Sequence, residues 1–128
     1  TRKESSAASD VYKRQTDTSI LTAIGNDYGF ERLFSRQIQA LGRAGDVFIG
    51  YSTSGQSSNV INALRVARDQ GLVTVAMTGN RGGPMLELSD HVIAVPSPHT
   101  PRIQEGHLVL GHLLCKEVEH ALFGERRV

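Results

Sequence analysis

The segment Gly50-Tyr51-Ser52-Thr53-Ser54-Gly55-Gln56-Ser57-Ser58-Asn59 gathers the hydroxyls of Ser52, Thr53, Ser54 and Ser57 around a single glycine. An apolar run, Val47-Phe48-Ile49, leads into it, and Val60, Ile61, Leu64 and Ala67 follow at helical spacing. A strand that ends in small hydroxylated residues and turns into a helix is suited to hold a phosphate. The first backbone N–H groups of a helix have no intrahelical partner, and the helix dipole favours an anion beside them. The hydroxyls add donors without bulk. The competing reading is a serine-rich turn whose side chains simply cap the helix.

Other glycine- and serine-bearing loops fit poorly. A phosphate loop of the Walker type needs a lysine after its second glycine, and Gly50–Asn59 contains none. A dinucleotide fingerprint needs glycines where this loop has hydroxyls. In the nucleophile elbow G-x-S-x-G the second glycine follows the serine by two places. Here Ser54 occupies that place and Gly55 comes one residue late, so Ser52 is not read as a nucleophile.

A second constellation lies near the end of the chain, in Arg102-Ile103-Gln104-Glu105-Gly106-His107 and Leu108-Val109-Leu110-Gly111-His112. Helical side chains advance by 100° per residue, so Gln104, Leu108, Gly111 and His112 share a face and His107 borders it. A carboxamide and an imidazole side by side suit carbonyl or hydroxyl binding together with proton transfer or metal ligation. A histidine on a mostly apolar helix also fits ordinary core packing. His91, His99 and His120 lack such company, and Cys115, the only cysteine, reads as packing.

The elements that must carry these residues follow from periodicity and punctuation. Asp17 or Thr18 can cap a short helix through Ile20, Leu21 and Ile24, which is expected to break at Gly25-Asn26-Asp27. Phe30, Leu33, Phe34, Ile38 and Leu41 predict a second helix, closed by Gly42–Gly45. Strands are predicted over 46–51, 73–77 and 91–95. Helices are predicted over 57–70, as a short turn at 85–88, and from Pro101 to about Leu122. Alternation of this kind implies right-handed βαβ units and an α/β fold, a parallel sheet in three layers with helices on its faces. Ligands of such sheets bind beyond the carboxyl ends of the strands, where the hydroxyl loop and Thr78-Gly79 fall.

Composition sets the class. The chain has 128 residues, 39% apolar and 21% charged, with a formal net charge of +1, which fits one globular domain. That balance gives no nucleic-acid footprint, and no apolar stretch is long enough to span a membrane. A single cysteine suits a reducing, cytoplasmic setting. Thr1–Gln15 has few large apolar residues and no period. It reads as a disordered tail or a leader foreign to the domain, which would then run over 16–124 with a short tail at 125–128.

Taken together, four stretches resemble the sugar isomerase (SIS) domain family, and within it the phosphoheptose isomerases. They are Thr18–Gly29 (TSILTAIGNDYG), Gly50–Ser57 (GYSTSGQS), Thr78-Gly79 with Gly82-Gly83, and Arg102-Ile103-Gln104-Glu105 with His112. The resemblance covers Thr16–Phe123 and implies a flavodoxin-like sheet topology. It implies that Ser52, Thr53, Ser54 and Ser57 hold a sugar phosphate, that Asn26 and Asp27 bind substrate hydroxyls, and that Gln104 and His112 bind zinc. It further implies that Gln104 also meets substrate and that His112 is the catalytic residue of this portion. The implied reaction interconverts sedoheptulose 7-phosphate and D-glycero-D-manno-heptose 7-phosphate, for nucleotide-heptose and lipopolysaccharide core synthesis. The implied assembly is a cytoplasmic homotetramer acting on a phosphorylated seven-carbon sugar, with no nucleic acid or membrane partner.

The chain departs from the family at its start. Phosphoheptose isomerases carry a His-x-x-x-Glu pair there that supplies further zinc ligands and the catalytic base. Before Thr16 this chain has no histidine, and its acids are Glu4 and Asp10. The expectation is that the 128-residue chain alone is inactive. The rival reading is a non-catalytic family member, either a regulator that binds the bacterial replication initiator protein or a sugar-phosphate sensor. That regulator lacks the histidine equivalent to His112 and has arginine in place of Thr53, so retention of both favours the isomerase.

Overall fold

The computed structural model describes residues 17–124; segments 1–15 and 125–128, set apart above as leader and tail, lie outside them. Five α-helices and three strands alternate among the described residues. The first helix, α1 (Thr18–Tyr28), starts where the Asp17 carboxylate accepts from the N–H groups of Ser19 (2.8 Å) and Ile20 (3.3 Å). It does not break at Gly25-Asn26-Asp27 as the sequence suggested. A lone glycine inside a helix costs only about 1 kcal/mol relative to alanine, too little to break a helix held at its start by the Asp17 cap. The helix ends instead at Gly29, whose φ of 87° closes it. A 3-10 turn (Phe30–Arg32) then leads into α2 (Leu33–Leu41).

Next come β1 (Val47–Ser52), α3 (Ser58–Asp69), β2 (Val73–Gly79), the short α4 (Met85–Leu88), β3 (His91–Val95) and α5 (Thr100–Phe123). The strands pair in parallel in the order β1-β2-β3, with Ser52 opposite Thr78 and Gly79 opposite Val95. The carboxyl ends of all three therefore share one edge, where the sequence placed the ligand.

Most of the core lies on one side of the sheet, with Met77 and Ile103 buried on the other. Val60, Ile61, Leu64, Ala76 and Met85 form one cluster, and Ile38, Ala63, Ala67 and Leu72 another, with Phe34 and Phe48 touching both. These clusters fill the space between the sheet and the α2–α3 layer. On the opposite face the third layer is a single helix, α5, which leans on β2 and β3. Strand alternation directs Ile49 and Tyr51 to that face, and Tyr51 is 46% exposed. No described helix is long and apolar enough to cross a membrane.

A polar clasp ties the start of β2 to the start of β3. The buried Thr74 donates its N–H to Asp90 Oδ2 (2.8 Å) and its hydroxyl to the same oxygen (2.9 Å), while Asp90 N–H donates to Thr74 O (3.0 Å). The Thr74 backbone N–H, then its hydroxyl, hold the Asp90 carboxyl below its ordinary 3.8. A carboxylate with a depressed folded pKa stabilises fully above the unfolded value, and the contribution is lost as pH falls through the folded one. Unfolding followed by circular dichroism is expected to show stability declining below about pH 4, with a shallower acid limb in Asp90→Asn.

Candidate functional site

The loop after β1 is shaped by backbone before its hydroxyls are considered. Gly55 sits at φ 66°, and its N–H donates to Ser52 O (3.2 Å) in a tight turn. The hydroxyls then converge: Ser52 Oγ lies 2.7 Å from Ser57 Oγ and 3.5 Å from Ser54 Oγ, and Ser54 Oγ accepts from Gln56 N–H (3.2 Å).

Ser57 occupies the N-cap of α3, yet its side chain caps no backbone N–H. Its hydroxyl is turned to Ser52 instead, which argues against the helix-capping reading of the loop. A polar cluster of small donors at an uncapped helix start is what an anion requires. Thr53 is half-buried beside it, and its carbonyl accepts from Gly79 N–H (3.1 Å), fastening the loop to the end of β2.

Two adjoining cavities connect this loop to α5. One of about 290 Å³ is lined by Tyr51, Ser52, Thr53, Gln104 and His107. The other, about 430 Å³, runs on past Gln104 and His107 to Gly111, His112 and Cys115, with Ile49 and Tyr51 on the strand side. Tyr51, Gln104 and His107 border both, so the two form one trough with hydroxyls at one end and His112 at the other. Helical periodicity had already set Gln104 and His112 on one face; the structure turns that face toward β1.

Asn26 and Asp27 are not brought to this trough. Both are exposed on α1, where Asn26 Nδ2 donates to Asp27 Oδ1 (2.9 Å). Tyr51, which the sequence reading left aside, does border it, and so does His107, which that reading set at the edge of the Gln104–His112 face. Tyr51 follows from strand alternation, which sets it beside Ile49. His107, 7% exposed, places Nε2 3.0 Å from Thr78 O and its ring edge-on to Tyr51, centroids 5.5 Å apart.

The geometry can be set beside known proteins. The sequence pattern of the SIS domain matches residues 6–79. The chain belongs to the SIS domain family. It is 65% identical over 111 residues to the phosphoheptose isomerase of Burkholderia pseudomallei (strain K96243), covering 87% of this chain and 56% of that protein. It is 59% identical over 113 residues to the phosphoheptose isomerase of Aneurinibacillus thermoaerophilus, covering 88% and 57%. The solved structure of phosphoheptose isomerase GmhA from Neisseria gonorrhoeae superposes with a TM-score of 0.77 at 52% identity, over 79% of this chain and 57% of that one. The chain thus spans a little over half the length of these SIS-domain relatives.

Zinc sites in proteins use four ligands, or three and a water. Gln104, His112 and Cys115 line the same cavity, but among the described residues no group of three His, Cys, Asp or Glu side chains could hold a metal. The described part of this SIS domain does not complete a zinc site by itself.

Ser57→Ala separates the two readings of the loop. An anion-holding hydroxyl predicts about tenfold weaker inorganic phosphate binding in calorimetry, the worth of one charge-assisted hydrogen bond. A capping hydroxyl predicts a loss of about 1 kcal/mol in stability with phosphate binding unchanged. The first outcome is expected.

Proposed function

We propose that this chain is the sugar-phosphate-binding portion of a phosphoheptose isomerase, which interconverts sedoheptulose 7-phosphate and D-glycero-D-manno-heptose 7-phosphate. The observation that carries the reading is the trough itself, with an uncapped hydroxyl cluster at one end and Gln104 and His112 at the other. Identity of 65% to a protein named phosphoheptose isomerase supports it.

In this reading Ser52, Thr53, Ser54 and Ser57, with the first N–H groups of α3, hold the phosphate. The sugar lies along the trough past Tyr51, and Gln104 hydrogen-bonds its carbonyl or an adjacent hydroxyl. Aldose–ketose isomerisation removes a proton from the carbon beside the carbonyl, passes through an enediol or enediolate, and returns a proton to the neighbouring carbon. His112 is the group of this chain placed to move a proton there. Asn26 and Asp27 are assigned to substrate hydroxyls by family resemblance, away from the trough in this chain. Zinc, with Gln104 and His112 among its ligands, would polarise the carbonyl, and the described residues alone supply too few ligands to hold it.

No aspartate or glutamate lines either cavity. The chain is therefore assigned substrate binding, with the carboxylate base supplied from outside the described residues. A cytoplasmic homotetramer belongs to the same reading, supported by the exposed apolar side chains Leu108, Val109, Leu113 and Val118 along α5.

Calorimetry with sedoheptulose 7-phosphate, paired with a discontinuous assay for the aldose, tests the proposal. Binding that Ser52→Ala weakens about tenfold, the scale of a lost charge-assisted hydrogen bond, without detectable turnover, is the expected result. Absence of binding would overturn the substrate assignment. Turnover by this chain alone would overturn the external base.

A further inference from the structure

His107 takes no part in the reaction outlined above, yet it is the buried histidine of the described chain and borders both halves of the trough. Its Nε2 lies 3.0 Å from the carbonyl oxygen of Thr78. A carbonyl only accepts, so Nε2 carries the proton and donates it. That bond fixes α5 to the carboxyl end of β2.

The adjacent residue makes the other half of the connection. Gly79 N–H donates to Thr53 O (3.1 Å), fixing the serine loop to the same strand end. Gly79 is also where loop and helix converge. A Cβ there would stand 2.6 Å from Thr53 O and 2.5 Å from Ile103 Cδ1. Thr78 and Gly79 therefore form a two-residue bridge with the phosphate loop on one side and α5 on the other. Gln104 lies one helical turn before His107, and His112 lies further along the same rigid helix.

We infer that His107 is a positioning residue that sets the span between the phosphate loop and the Gln104–His112 end of the trough. Through that span it selects the chain length of the sugar phosphate. The inference rests on the binding role proposed above. It deepens that role by assigning specificity to a residue that need not touch the substrate. Without the His107 bond, α5 loses its polar tie to β2 while the serine loop keeps its own, through Gly79. Binding that uses only the loop should then persist, and binding that uses both ends should weaken.

The test compares three ligands by calorimetry on the 128-residue chain: inorganic phosphate, ribose 5-phosphate and sedoheptulose 7-phosphate. In His107→Leu, sedoheptulose 7-phosphate is expected to bind about tenfold more weakly and to lose its advantage over ribose 5-phosphate, the scale of one buried hydrogen bond. Inorganic phosphate should stay within about twofold, near the ±0.5 kcal/mol of a substitution that leaves a site untouched. His107→Gln, which can present an amide N–H in place of Nε2, should restore most of the preference. His107→Met, an unbranched apolar side chain with no N–H to donate, should lower the same preference and serves in place of His107→Leu if that variant does not fold.

Equal weakening of all three ligands, or an unchanged preference between the two sugars, overturns the positioning role. A wild-type chain that binds inorganic phosphate but does not prefer the longer sugar also overturns it, while leaving the phosphate loop intact. A wild-type chain that binds none of the three overturns the proposed function, and this inference falls with it.

Discussion

The site depends on two backbone segments meeting with no side chain between them. At Gly55 an added Cβ would lie 2.0 Å from Gly82 O, and at Gly83 one would lie 2.5 Å from Gly55 O. All three glycines have positive φ, the region that L side chains rarely enter. The serine loop therefore rests directly on the loop after β2, backbone on backbone. Any larger residue at Gly55 or Gly83 would lift the hydroxyl cluster off its support. That cluster then keeps its shape through the short Ser52–Ser57 contact of 2.7 Å.

From that support the rest of the arrangement follows. Parallel pairing brings Ser52 and Thr78 to the same level of the sheet, so the phosphate loop and the anchor for α5 start from neighbouring strands. The two hydrophobic clusters fill the α2–α3 side of the sheet, while the α5 side buries Met77 and Ile103. The trough can exist because the other side is covered by one helix rather than a full layer. An apolar strand face and an apolar helix, with Tyr51 and Gly111 among the residues lining the space between them, leave a trough that is hydrophobic along its walls and polar at its ends. This is the usual character of a small-molecule site, where apolar walls exclude water and a few polar groups fix orientation.

Much of this was legible in the residues. The hydroxyl loop between an apolar run and a helical pattern is local, and so is the βα alternation that places strand ends together. Gln104 and His112 share a face because eight residues make close to two helical turns, whatever the helix packs against. The predicted element limits differ from those observed by one or two residues at most ends, as expected where helix and strand termini fray. The break expected in α1 failed for a physical reason: Gly25-Asn26-Asp27 has the composition of a turn, but one helical glycine is inexpensive and the Asp17 cap holds the helix start.

The sequence by itself determined the βαβ order, the phosphate-suited loop and the shared face of Gln104 and His112, because each rests on interactions between near neighbours in the chain. Only the tertiary structure decided that the Ser57 hydroxyl turns from its helix to Ser52, that His107 reaches back across 29 residues to Thr78 O, and that Asn26 and Asp27 stand away from the trough. Those outcomes depend on how separately formed elements pack. A side chain with two possible partners chooses by which one the packing brings within hydrogen-bond distance, and local spacing carries no record of that.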